Sequence, residues 1–168
     1  MMPGDNENNA SEVLSYYGLV REVDILVPFI HNLEVRDIRR RFISSAYRLI
    51  INISFGTQLN YTNGTVIYNK AAVLSVELVS TGFFYQTELL IKLIRRGFLY
   101  AEVPQFLGVR YGGKSSALTM YSFLNLSWSF IQLAWNIHIL RSEGVRSWAA
   151  SSFPPNTCTR RKYQIFNK

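Results

Sequence analysis

Apolar and polar positions along the chain change their period several times, and each change marks an element. SEVLSYYGLV (11–20) is a helical run, with Asn9 and Glu12 spaced as a capping box. VDILVPFI (23–30) is a continuous apolar run suited to a buried strand. Asp37 can cap a helix through Phe55. Its apolar positions Ile38, Phe42, Ala46, Leu49, Ile50 and Ile53 step by three and four, and Gly56 stops it. LNYTNGTVIYNK (59–70) reads as a strand or hairpin around Asn63-Gly64. A helix from near Phe84 carries Leu89, Leu90, Leu93 and Ile94 on its apolar face. Arg95 and Arg96 suit its last turn, and Gly97 ends it. FLYAEV (98–103) is β-prone, and Pro104 limits how far that strand can be paired centrally.

The run from Ser115 to Leu140 has no charges and is long enough to span a bilayer. Ser122, Asn125, Ser129, Gln132 and Asn136 nevertheless recur as one polar stripe along a helix. The remaining apolar surface, with Trp128 and Trp135, suits either a membrane interface or a buried partner helix. Residues 141–168 turn polar and basic, with Pro154-Pro155 and Arg160-Arg161-Lys162, and read as a mobile tail.

Strands alternating with helices point to the α/β class. The formal charge of +7 turns attention to anionic partners: nucleic acid, acidic lipid or phosphorylated substrates. No nucleic-acid-binding motif accompanies it. The single cysteine, Cys158, excludes a disulfide framework, and His31 and His138 are too far apart in sequence to suggest a metal cluster. The polar, acidic opening is not a signal peptide.

Three segments carry chemistry. In PGDNENN (3–9), Asp5 and Glu7 can share a face and reach one hard cation, with Asn9 adding an oxygen; a helix cap is the competing reading. Arg39, Arg40 and Arg41 crowd the positive end of a helix dipole, a placement that a bound anion would relieve. Arg110-Tyr-Gly-Gly-Lys-Ser115 sets two cations, a hydroxyl and a flexible backbone in six residues, which can wrap a phosphate. No Rossmann or Walker glycine fingerprint and no Ser/His/Asp arrangement is present.

The order of these pieces resembles the latter two-thirds of a family 2 glycosyltransferase with a GT-A fold, of the dolichyl- or polyprenyl-phosphate mannosyltransferase type. The resemblance rests on Pro3-Gly-Asp-Asn-Glu7, Val23 to Val27, Arg40 to Ser44, Asn63-Gly64, Phe84 to Leu90, Gly97 to Pro104 and Arg110 to Ser115. It implies a partial GT-A domain over 1–116, an amphipathic, membrane-interface helix over 117–140 and a basic tail over 141–168. It implies that Asp5 and Glu7 hold a divalent metal, Mg or Mn, against the donor diphosphate. Arg40, Ser44, Arg110, Lys114 and Ser115 would contact the acceptor phosphate, and Glu88 would be a carboxylate at the cleft, with Arg110 beside the reacting groups. The implied partners are a nucleotide-diphosphate sugar, a phosphorylated lipid acceptor and the membrane surface, without nucleic acid. The implied location is peripheral, on the cytoplasmic face of a membrane. Asp-Asn-Glu replaces the family's DxD, and Asn60 stands where an Asp is usual. The family's nucleotide-binding β-α-β units would precede Met1, so the chain is expected to be a fragment, inactive alone. The alternative is a non-catalytic membrane-surface or interaction protein derived from that fold.

Overall fold

The computed structural model describes residues 10–32, 38–62, 64–80, 82–106, 108, 120–140 and 150–166. The chain is mixed α/β. Its elements are α1 (Ala10–Ser15), β1 (Ile25–Ile30), α2 (Ile38–Phe55), β2 (Ile67–Tyr68), α3 (Lys70–Leu74), α4 (Tyr85–Arg95), β3 (Tyr100–Gln105), α5 (Met120–His138) and α6 (Cys158–Phe166). Short 3-10 turns at Tyr16–Arg21, Gly82–Phe84 and Ala150–Ser152 precede β1, α4 and α6.

The apolar run 23–30 becomes the middle strand of a sheet ordered β2-β1-β3. β1 pairs with β3 in parallel, from Ile25↔Tyr100 to Ile30↔Gln105. It pairs with β2 antiparallel only at Ile25↔Tyr68 and Leu26↔Ile67. Pro104 therefore lies on an edge strand among the described residues, where its missing N–H costs no ladder bond. Pro28 is tolerated within the middle strand because β2 has ended before it. The side of β1 left open there is covered by Gly64. A Cβ at Gly64 would stand 2.8 Å from the Pro28 carbonyl oxygen, closer than carbon and oxygen pack. Gly64→Ala is expected to cost about 1–3 kcal/mol, because the loop must lift off β1. A lowered urea midpoint with an unchanged slope checks this.

The core lies against the sheet: Ile25 and Val27 of β1, Ile51 and Phe55 of α2, Leu90 and Leu93 of α4, and Leu133 and Ile137 of α5. α4 is buried along almost its whole length from Thr87 to Leu93. It ends as its sequence predicts. Gly97 takes φ +85°, the Gly97 N–H donates to Ile94 O, and the Phe98 N–H donates to Leu93 O, a Schellman closure. Arg95 and Arg96 do more than suit the dipole. Arg95 Nη1 donates to Phe55 O at the end of α2, at 3.0 Å, and Arg96 Nη1 donates to Ser75 O.

Two helix faces differ from their sequence reading. The stripe that periodicity marks on α2 is turned outward: Phe42 is 77% exposed, Ile53 73%, and Ile38, Leu49 and Ile50 are exposed as well. The core face is instead Tyr47, Ile51 and Phe55, which steps by four. Both stripes are apolar at helical spacing, so period alone cannot choose between them. On α5, Ser129 of the polar stripe is buried beside Leu133 and Ile137, while Trp128 and Trp135 face out. Of the same stripe, Asn125 is exposed and Gln132 and Asn136 are half-buried.

The mobile tail expected over 141–168 is corrected over 150–166. That segment is packed on the sheet. Asp24, just before β1, caps α6: its Oδ1 accepts from the Cys158 N–H at 2.7 Å, and its Oδ2 from the Thr159 N–H at 2.8 Å and from Thr159 Oγ1 at 2.5 Å. Thr159 Oγ1 in turn accepts from the Leu99 N–H at 2.8 Å. Phe153 stacks with Tyr163 and meets Phe98 edge-on, each with centroids 5.3 Å apart. The cations that made this stretch look like a solvated tail have partners here: Arg160 donates to Phe153 O, Arg161 to Arg21 O, and Lys162 pairs with Glu22.

Candidate functional site

Parallel pairing makes β1 and β3 end at the same edge of the sheet, at Ile30 and Gln105. The His31 N–H donates to Gln105 O at 3.0 Å and extends the pairing by one residue. The His31 and Phe106 rings then meet edge-on at 5.6 Å. From this exit one strand leads through residues 33–37 into α2, whose first turn carries Arg39, Arg40 and Arg41. The other leads through Phe106 toward Arg110–Ser115.

The N-terminal segment is tied to the same edge. Glu12 Oε1 accepts from the Phe106 N–H at 2.9 Å, across 94 residues of sequence. Spacing alone reads Glu12 as half of a capping box; in the structure it fastens α1 to the end of β3. α1 therefore brings the stretch that follows Asp5, Glu7 and Asn9 to the strand exit.

The candidate residues fall into four cases. Asp5, Glu7, Asn9, Arg110, Lys114 and Ser115 lie outside the described residues. Arg40 is on α2, and its side chain also lies outside them. Ser44 is half-buried, and its Oγ donates back to Arg41 O at 3.1 Å within the helix. Such a back-bond is local helix chemistry and leaves the oxygen's lone pairs able to accept.

Glu88 is the fourth case, and its surroundings do not match an open cleft. It is 1% exposed. Its Oε1 takes the Val79 N–H at 3.1 Å and Lys92 Nζ at 2.8 Å, and its Oε2 takes the Ser80 N–H at 2.7 Å. Lys92 Nζ also donates to Glu77 O at 2.8 Å. The pair thus clamps residues 77–80 onto α4. Burial pushes the Glu88 carboxyl up, but the donors from Lys92, Ser80 and Val79 outweigh it and hold the group below the usual carboxylate range.

Two of the motif residues prove to be one unit. Asn60 gives its N–H to Glu102 Oε1 and its Nδ2 to Oε2, both at 2.7 Å, joining the turn after α2 to β3. An Asp at 60 would set two carboxylates against each other, so Asn is the side chain this pairing fits. On the opposite end of the sheet, burial and the neighbouring Tyr85 push the Tyr68 phenol well above its ordinary range, keeping it neutral.

Among the described residues, no group of three His, Cys, Asp or Glu is placed to hold a metal, and no helix is long and apolar enough to cross a membrane. Comparison with protein-family models, with curated proteins and with solved structures gives no match.

Proposed function

We propose that the chain is the acceptor-side part of a GT-A, family 2-like glycosyltransferase of the polyprenyl-phosphate type, moving a sugar from a nucleotide-diphosphate sugar to a phosphorylated lipid. The observation that carries this reading is the shared exit of β1 and β3, with Glu12 fastened to Phe106 beside it. Open α/β sheets bind ligands outside the carboxyl ends of their strands. At that edge β1 and β3 end side by side with Glu12 of α1, and in sequence these elements adjoin the arginine-led helix, the basic glycine loop and the acidic opening.

In this reading Arg40, Arg110 and Lys114, with Ser44 and Ser115, hold the acceptor phosphate. Arginine suits the task because its planar fork matches phosphate oxygens. A phosphate oxygen attacks the anomeric carbon of the sugar, the bond from that carbon to the donor diphosphate breaks, and the nucleoside diphosphate leaves with the electron pair. The nucleophile is already an anion, so no separate base is required. Asp5 and Glu7 offer the carboxylate oxygens that a hard divalent ion prefers; such an ion neutralises charge on the leaving diphosphate. Glu88 acts as a positioning residue, through the 77–80 backbone it clamps.

The test is metal-dependent sugar transfer to polyprenyl phosphate, with a nucleotide-binding unit supplied upstream as the resemblance requires. Asp5→Ala with Glu7→Ala, and Arg110→Ala, are each expected to lower the rate by about 100-fold or more. Transfer indifferent to these changes and to chelation, or no transfer at all, contradicts the reading.

A further inference from the structure

The chain has two histidines, His31 and His138, and the fold uses them differently. His138 joins two helices: its Nε2 lies 2.7 Å from Ser54 O near the end of α2, and its ring stacks on Phe55. His31 bonds through its backbone, whose N–H donates to Gln105 O at 3.0 Å. That bond seats it one residue beyond β1, at the edge where the two parallel strands end. Its side chain is exposed, and among the described residues no hydrogen bond holds either ring nitrogen. The ring is nevertheless oriented. It meets the Phe106 ring edge-on with centroids 5.6 Å apart, and the Phe106 N–H is itself held by Glu12 Oε1 at 2.9 Å. An imidazole placed at the carboxyl ends of parallel strands, with its nitrogens unengaged, is set to meet a ligand rather than to complete the core.

The charges on the surrounding elements bear on which ligand. α1 brings Glu12, already engaged by the Phe106 N–H. β3 carries Glu102 farther back, paired with Asn60, and no charge at this end, where Gln105 is followed by Phe106. The helix that follows β1 in sequence, α2, carries Arg39, exposed, and Arg41, half-buried, in its first turn. A protonated imidazole adds a positive charge and two N–H donors. That combination suits an anion with several oxygens to offer, as a phosphate monoester has.

Resting on the acceptor-phosphate reading above, we propose that His31 is a further residue of that site, a donor at the end of β1 whose imidazolium contacts the acceptor phosphate and makes acceptor binding depend on pH. Arginine contacts stay charged across the physiological range, whereas an imidazole changes charge within it. A phosphate monoester gains its second negative charge as pH rises through about 6. A site built of arginine alone therefore tightens with pH and then levels off. With an imidazolium added, binding passes through a maximum and weakens as pH rises further, because the donor loses its proton while the phosphate keeps its charge.

Calorimetric titration of the full chain with farnesyl phosphate, a short polyprenyl phosphate, tests this, with farnesol as the uncharged control. Wild-type binding is expected to weaken by about tenfold between about pH 6 and about pH 8. At about pH 6, His31→Gln and His31→Phe are each expected to bind about tenfold more weakly than the wild type. The phenyl ring of His31→Phe can keep the edge-on contact with Phe106, so its loss of affinity separates the donor from the packing. His31→Arg is expected to keep the wild-type affinity at about pH 6 and to lose the decline toward about pH 8. Buffers of different ionisation enthalpy give a second readout: near neutral pH the wild type should take up protons on binding, and all three variants should take up fewer. Farnesyl phosphate binding no tighter than farnesol would remove the acceptor-phosphate reading, and the role of His31 with it. Phosphate-selective binding that Arg110→Ala weakens, but that keeps its strength and its pH profile in His31→Gln and His31→Phe, would leave that reading standing and overturn the role of His31.

Discussion

Replacing Asp24 with alanine is expected to cost about 3–5 kcal/mol and to release α6 from the sheet. Asp24 is 2% exposed, and both its oxygens are engaged. Its loss leaves two backbone N–H groups and a hydroxyl without an acceptor in a site water does not reach. Each orphaned donor costs about 1–3 kcal/mol, and the three are not additive because local opening can rehydrate them. Asp24→Asn should be milder, about 1–3 kcal/mol. The amide keeps one acceptor oxygen but turns a second donor toward N–H and O–H groups. Thr159→Val removes only the hydroxyl link to Asp24 and the Leu99 N–H, so it should fall below Asp24→Ala. Urea unfolding gives the free energies. Hydrogen exchange shows where they act: amides of 158–166 should lose protection well before those of α4. Uniform loss across the chain would mean that α6 and the sheet unfold as one body.

Glu88→Ala is the second large effect, again about 3–5 kcal/mol. It strands Lys92 as a buried cation, 4% exposed, and frees the N–H groups of Val79 and Ser80. Glu88→Gln retains the shape and one acceptor, and should recover part of the loss. Acid should mimic the mutation. The folded Glu88 carboxyl titrates below its ordinary value of 4.5, so between the two values the unfolded chain binds the proton and the folded chain does not. The contribution of Glu88 is therefore complete above 4.5 and is lost as pH falls through the folded value. Stability measured from about pH 6 to about pH 3 should decline more steeply in the wild type than in Glu88→Gln. An equal decline would show that other carboxylates carry the acid sensitivity.

What the sequence reveals of this fold is what local signals can encode. The run 23–30 becomes β1, the Leu89–Ile94 pattern with Gly97 becomes α4 and its closure, and Pro104 falls on a strand that is at the sheet's edge among the described residues. Each depends on residues within a few positions of one another. The misread parts depend on distant partners or on a choice between equal faces. α2 is apolar at helical spacing on two sides, and the small sheet covers only the one with Ile51 and Phe55. Residues 150–166 look polar and basic, yet Asp24 holds them from 135 residues away. Glu12 Oε1 accepts from the Phe106 N–H, a contact that its spacing from Asn9 could not show. Glu88 sits in a motif that implies a cleft, while burial and Lys92 make it a clamp. For the candidate site, the sequence leads to the expectation of Arg40 and Arg110–Ser115, of which Arg110–Ser115 and the Arg40 side chain lie outside the described residues. The parallel register supplies what sequence order cannot: their strands leave the sheet side by side.

The proposed acceptor site at that exit is most directly tested with a photoactivatable polyprenyl phosphate whose reactive group lies next to the phosphate. Mass spectrometry should find crosslinks in both the 33–44 and the 106–116 peptides. Unlabelled polyprenyl phosphate should suppress both, whereas the uncharged alcohol should not. Arg40→Ala and Arg110→Ala should each reduce crosslinking in both peptides, because one phosphate bridges the two segments. Labelling confined to the apolar faces of α2 and α5, or equally suppressed by the alcohol, would contradict an acceptor-phosphate site at the β1–β3 exit.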